Sequence, residues 1–134
     1  MCFTIGKTVQ LRGRKAYREW YIRNGRLTSP VYPERRAWRA SIATSRLSRH
    51  LSYGWAEEGL YAHTRPDPKM DTVSGTVACY GKAFISKSGR KLACEEMVIL
   101  TLNVPAGCSA ATVKKLRANY PLVEIRHGND ERSH

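Results

Sequence analysis

The chain has 134 residues, of which 42% are hydrophobic, and a formal net charge of +12 at pH 7. This length suits one domain, and the apolar content is enough for a buried core and argues against wholesale disorder. No apolar run approaches the roughly 20 residues that span a bilayer, and the N-terminus lacks the features of a secretory signal. We therefore expect one cytoplasmic domain over residues 1–126 with a flexible polar tail at 127–134, and no membrane partner.

The positive charge is concentrated in the first half of the chain. Residues 1–50 hold twelve basic and two acidic side chains, a net +10, whereas residues 51–134 contribute only +2. Such an excess causes self-repulsion unless an acidic partner offsets it. The asymmetry is therefore informative about partners and not about the fold.

The first half of the chain predicts several short strands. After a basic lead-in at residues 10–15, Ala16, Arg18, Trp20 and Ile22 alternate with polar and aromatic residues, which predicts a strand over residues 16–23. Asn24-Gly25 is typical of a type I′ turn, so a short return strand is expected at 26–31. Further strands are predicted at 37–44 and 59–63, whereas the pattern of 45–54 indicates no element.

The second half predicts a long hairpin. Residues 73–85 and 91–102 are apolar and β-prone, and the polar segment 86–89 between them suits a hairpin connection. Gly75 and Gly81 interrupt the first strand and indicate bulges or close packing. We expect Val98 and Leu100 to face the core, although the run is apolar on both faces and leaves the parity open.

A helix and a short strand complete the predicted fold. Ser109 is a candidate N-cap for a helix over 110–120, which Pro121 ends, and residues 122–125 predict a last strand. The predicted fold class is α+β, an antiparallel sheet of about six strands with one C-terminal helix.

Neither a disulfide framework nor a metal site is expected. The four cysteines are Cys2, Cys79, Cys94 and Cys108, and no pair has Cys-x-x-Cys spacing. In the cytosol all four should be free thiols, and Cys79 and Cys94 lie in apolar runs where a thiol is usually buried. We predict no metal and no cofactor.

The sequence contains no recognisable catalytic motif. Phosphate-binding glycine loops are absent, and the adjacent glutamates Glu57-Glu58 and Glu95-Glu96 would point to opposite faces of a strand. His63 is the one histidine that we would test as a base. ADP-ribosyl transfer needs a catalytic Glu and an Arg or His that grips the dinucleotide, and these residue types occur at no diagnostic spacing. The sequence therefore favours a binding protein over an enzyme.

The basic residues of the first half are interleaved with aromatic residues. Guanidinium groups form forked hydrogen bonds with phosphates, and exposed aromatic rings can stack on bases. Trp20 and Trp38 themselves are expected in the core. The candidate residues for binding nucleic acid or another polyanion are Arg12, Arg14, Lys15, Arg18, Arg23, Arg26, Arg35, Arg36, Arg39, Arg46 and Arg49.

The order of several short motifs resembles that of a family of small uncharacterised phage and actinobacterial proteins. The motifs that carry the resemblance are Lys15-Ala16-Tyr17-Arg18, Asn24-Gly25-Arg26-Leu27-Thr28-Ser29-Pro30, Trp38, Gly59-Leu60-Tyr61-Ala62, Tyr80-Gly81-Lys82 and Gly89-Arg90. The resemblance extends over about residues 14–125. It implies a phage-like provenance, and hence the host cytoplasm, but no activity.

Three functional hypotheses follow from the sequence. The leading one is a non-enzymatic accessory protein that binds DNA, RNA or a ribonucleoprotein through its Arg-rich half. The alternative is an inhibitor of a host defence protein, similar to an anti-CRISPR, that docks on an acidic or nucleic-acid-binding surface. A small enzyme such as an ADP-ribosyltransferase is the third. The sequence does not distinguish DNA from RNA as the partner, and it does not indicate the oligomeric state.

Overall fold

A computed structural model describes residues 3–28, 38–49, 54, 56–66 and 72–128 of the chain. Within these residues it contains a mixed sheet, a separate two-stranded sheet and a helix. The elements in chain order are β1 (Ile5–Arg23), β2 (Arg26–Thr28), β3 (Ile42–Thr44), β4 (Ser48–Arg49), β5 (Ala56–Glu58), β6 (Leu60–His63), β7 (Val73–Ser86), β8 (Lys91–Val104), α1 (Ala110–Asn119) and β9 (Glu124–His127).

Strand β1 is much longer than the strand predicted over residues 16–23. It pairs with β7 from Ile5, opposite Ser86, to Trp20, opposite Val73, so the expectation that residues 10–15 are only a lead-in is wrong. The neighbouring strand supplies the hydrogen bonds that this polar segment needs to remain extended. A register shift at Gly13, whose φ is 94°, marks a bulge that bends the ribbon.

The predicted turn after β1 is confirmed. Asn24 and Gly25 have φ values of 52° and 73°, as a type I′ turn requires, and β2 pairs back onto the end of β1. The last residues of the predicted return strand, 29–31, lie outside the described residues, as does residue 37 of the next one. That next strand, β3, is confined to Ile42–Thr44, and β4 and β5 were not predicted.

The predicted hairpin of residues 73–85 and 91–102 is confirmed as β7 and β8. Gly75 is required for close packing, because a Cβ there would lie 2.0 Å from the Thr101 carbonyl oxygen. Gly81 lies at a register shift and has a φ of 86°. The expected parity is wrong: Met97 and Ile99 are buried and Leu100 is 41% exposed.

The far edge of β8 binds three short strands in succession. They are β6, β3 and β9, and β9 runs parallel to β8 while the other two are antiparallel. The α+β class is confirmed in broad terms, but the sheet is mixed and not purely antiparallel. The cause is α1, which carries the chain back along β8 and allows the next strand to run in the same direction.

The strand pairings form a closed circuit. β1 pairs with β7, β7 with β8, β8 with β6, and β6 returns to β1 through the bridge between Tyr17 and His63. The inner face of this circuit holds the main core, in which Trp20, Cys79 and Cys94 are fully buried. The expected core positions of both tryptophans are confirmed, since the rings of Trp20 and Trp38 pack edge to face at 5.5 Å.

Helix α1 covers one end of the core with Val113 and Leu116. Its predicted cap is confirmed, because the Ser109 side-chain oxygen accepts a hydrogen bond from the Thr112 N–H at 3.2 Å. No helix among the described residues is long and apolar enough to cross a membrane. A second, smaller cluster around Phe3, Ile5 and Phe84 packs on the outer face of the sheet.

Candidate nucleic-acid interface

Arg18 is half-buried, and its guanidinium packs against the core. It pairs with Gly75 on the same strand face as Ala16 and Trp20, so its side chain points toward the core. Its Nη1 donates to the Tyr61 carbonyl oxygen at 2.7 Å, and its guanidinium carbon is 5.1 Å from the Trp38 ring centre and 5.7 Å from that of Trp20. Arg18 is half-buried with its guanidinium already bound to a backbone carbonyl and packed on two indole rings, so it is removed from the candidate set.

Arg18 remains charged at neutral pH. Desolvation lowers the pKa of its guanidinium to about 10, and no described carboxylate forms an ion pair with it. Its Nε is inaccessible to solvent and has no hydrogen-bond partner among the described residues. The alternation of Ala16, Arg18 and Trp20 on one face was the signal in the sequence that could have predicted this burial.

Four cations gather on the outer face of the β1–β7 ribbon. Arg12 pairs with Tyr80, Lys15 with Ala78 and Gln10 with Lys82, and paired residues share a face. The Nζ of Lys82 and the guanidinium carbon of Arg49 lie 6.0 Å and 5.8 Å from the centre of the Phe84 ring, so the last two cations are neighbours. We call this surface the outer basic face; its members are Arg12, Lys15, Arg49, Lys82, Tyr17 and Tyr80.

The outer basic face combines unpaired charge with aromatic rings. Its four cations are exposed, and within the described residues none forms an ion pair with a carboxylate. Tyr80 is 37% exposed, and the Lys15 Nζ lies 5.9 Å from the centre of the Tyr17 ring. Two glutamates of β8 adjoin this face: Glu96 lies opposite Tyr80, and the Glu95 Oε1 accepts from the Lys82 N–H at 2.7 Å. Lys82 was missed by sequence reasoning because it reaches Arg12 and Lys15 only through strand pairing.

A second basic group lies at the β1–β2 turn. It comprises Arg23, Arg26 and Arg39, and the Arg26 Nη1 donates to the Arg39 carbonyl oxygen at 3.4 Å. Lys115 of α1 joins them, since a Cβ on Gly25 would lie 2.6 Å from the Lys115 Cβ. This group is smaller in aromatic content than the outer basic face, with Tyr21 as its exposed ring.

The other candidates lie apart from both groups. Arg14 lies on the inner side of the bent ribbon and lines a cleft with Lys7 and Lys87. Arg46 is exposed after β3, next to Ser45, whose N–H donates to the Glu95 carbonyl at 2.9 Å. Arg35 and Arg36 lie outside the described residues. The Arg-rich half is thus distributed over several surfaces and one half-buried position.

The candidate base His63 shares a small cavity with the Glu19 carboxyl. The cavity has a volume of about 170 Å³, and Tyr17, Asn103 and Thr76 also line it. Ligand pockets usually measure about 300–1,000 Å³, so a dinucleotide would not fit here.

The described cysteines are free thiols. Cys79 and Cys94 are buried next to each other, and a hydrogen bond from Cys94 lowers the pKa of Cys79. Cys108 is partly exposed, and Cys2 lies outside the described residues. Among the residues that the structure describes, no group of three or more His, Cys, Asp or Glu side chains could hold a metal ion.

The chain matches no protein-family model, no curated protein and no solved structure with significance.

Proposed function

We propose that the protein binds single-stranded nucleic acid through the outer basic face, as a non-enzymatic accessory protein. The observation that carries the proposal is the alternation of unpaired cations with the exposed ring of Tyr80 and the half-buried ring of Tyr17 on one sheet face. Cations attract the phosphate backbone and release its counterions, and aromatic rings stack on unpaired bases of any sequence. A sheet face with both features suits a strand whose bases are splayed out.

The outer basic face suits this role better than the turn group. Arg12 and Tyr80 are directly opposite each other on adjacent strands, so a phosphate and a base can be held side by side. Lys15 is similarly close to Tyr17. In the turn group, Arg26 already uses its guanidinium on a backbone carbonyl.

The test separates charge from stacking. A charge variant combines Arg12→Ala, Lys15→Ala and Lys82→Ala, and its binding to a fluorescent oligonucleotide is titrated over a range of salt concentrations. We expect the slope of log K against log salt to flatten by about 2, since each lost contact to a single strand contributes about 0.7. Tyr80→Ala should weaken binding by roughly 5- to 150-fold, the equivalent of about 1–3 kcal/mol for one stacked base, with an unchanged slope.

A matched control removes the same charge elsewhere. Lys114→Ala, Lys115→Ala and Arg117→Ala all lie on α1, which packs against β2 and β9 and not against the β1–β7 ribbon. This control should change affinity only slightly. If the control and the charge variant lose equal affinity, the protein responds to net charge and has no interface on the outer face. If Arg23→Ala, Arg26→Ala and Arg39→Ala flatten the slope and the charge variant does not, the turn group is the interface.

A further inference from the structure

Three cations, two from β1 and one from the β7–β8 turn, converge on a cleft at that turn. The cleft has a volume of about 520 Å³, and its cationic lining consists of Lys7 from β1, Arg14 from β1 and Lys87 from the turn. Seven residues of straight strand would separate Lys7 from Arg14 by about 23 Å. The bulge at Gly13 bends β1, so both side chains reach one cleft.

Among the described residues that line the cleft, none carries an acidic side chain. Its other lining residues are Gly6, Ile85, Ser86, Ser88 and Gly89. None of the three cations forms an ion pair with a described carboxylate. Three like charges around one cleft repel each other, and a bound anion would relieve that repulsion.

The wall of the cleft is fixed by internal hydrogen bonds. The Ser86 and Ser88 hydroxyls lie 3.0 Å apart and accept from the N–H groups of Lys91 at 3.1 Å and Arg90 at 3.3 Å. The Lys87 N–H donates to the Thr4 carbonyl at 3.0 Å, which joins the turn to the start of β1. A Cβ on Gly6 would lie 2.9 Å from the Lys87 Cα, so only glycine allows this approach. A ligand would therefore meet a preorganised site.

We propose that this cleft binds a doubly charged phosphoryl group through Arg14, Lys7 and Lys87. The Arg14 guanidinium can form bidentate hydrogen bonds with two phosphate oxygens, and the ammonium groups of Lys7 and Lys87 add positive charge. The group can belong to a free phosphorylated compound or to the 5′ end of a strand, which carries one more charge than an internal phosphate. The site is separate from the outer basic face and does not depend on the proposed strand-binding function.

The first experiment titrates the intact protein with inorganic pyrophosphate and follows backbone amide shifts by NMR. We expect saturable shifts at Gly6, Lys7 and Ser88. Arg14→Gln and Lys87→Gln should each weaken binding roughly tenfold or more, as expected for losing one hydrogen bond between charged groups. Lys114→Gln, which removes an exposed lysine of α1, should leave the affinity unchanged.

A second pair of titrations distinguishes the two sources of the phosphoryl group. If a 5′-phosphorylated oligonucleotide binds more tightly than its 5′-hydroxyl counterpart, and Arg14→Gln removes the difference, the cleft binds strand ends. If the two oligonucleotides bind equally while pyrophosphate binds at the cleft, the ligand is a free phosphorylated compound. The proposal is overturned if pyrophosphate causes no saturable shifts at the cleft of the wild-type protein, or if Lys114→Gln weakens binding as much as Arg14→Gln.

Discussion

The Tyr120 hydroxyl joins three distant parts of the chain, and its removal should be costly. Tyr120 follows α1 and is fully buried. Its hydroxyl accepts from the Leu27 N–H at 2.9 Å and donates to the Trp38 carbonyl oxygen. Tyr120→Phe keeps the ring and the packing but leaves one backbone donor and one backbone acceptor buried without their partner.

The expected loss follows from those two groups. Each buried polar group that loses its partner costs about 1–3 kcal/mol, so Tyr120→Phe, which leaves two such groups, should lower the free energy of unfolding by roughly 2–6 kcal/mol. This loss is a large fraction of the free energy of unfolding of a typical domain, which is about 5–15 kcal/mol. The matched control is Tyr80→Phe, because Tyr80 is 37% exposed and its hydroxyl can exchange partners with water.

Equilibrium urea unfolding, monitored by tryptophan fluorescence, measures the difference, since Trp20 and Trp38 lie in the core. We expect Tyr80→Phe to unfold within about 0.5 kcal/mol of the wild type, as surface substitutions usually do. If Tyr120→Phe is equally stable, the hydroxyl does not tie α1 to β2 and the reasoning is wrong.

Three further outcomes are expected. Arg18→Met should be as stable as the wild type or more stable, since it keeps the bulk of a side chain and removes the desolvation of an unpaired charge; a clear fall in the urea midpoint would show that the hydrogen bond and ring contacts outweigh the desolvation. Gly75→Ala should lower the free energy of unfolding by at least about 3 kcal/mol or prevent folding, because its Cβ meets the Thr101 carbonyl. Gly107→Ala, with open space around it, should be near neutral when both variants are compared by thermal unfolding. Burial raises the pKa of Tyr120, so its contribution to stability is complete below pH 10 and is lost as pH rises through the higher folded value; the alkaline loss of stability should be smaller in Tyr120→Phe, and equal alkaline losses would contradict this.

Local sequence patterns were sufficient to predict the elements that are stabilised by contacts between residues close together in the chain. The Asn24-Gly25 turn, the β7–β8 hairpin and the Ser109 cap each depend on residues close together in the chain. The parallel strand β9 and the closure of β1 onto β6 depend on distant pairings that no local pattern specifies. The parity of β8 could not be read because both of its faces carry apolar residues.

The candidate site shows the same division. Charge counting along the chain identified Arg12, Lys15 and Arg49 but grouped them with Arg18, which the strand alternation places against the core. Lys82 and Lys87 belong to the less basic half of the chain and were missed, although β7 brings them against β1. A surface composed of two strands can be read from the sequence only when the register between them is known.

The central claim is that a single strand lies along the outer basic face, and NMR mapping with a short unlabelled oligonucleotide tests it most directly. Addition of the oligonucleotide to the labelled protein at moderate salt should shift the backbone amides of Arg12, Lys15, Tyr17, Tyr80 and Lys82 most, and the amides of α1 little. Largest shifts at Arg23, Arg26 and Lys115, or no saturable shifts anywhere, would contradict the claim.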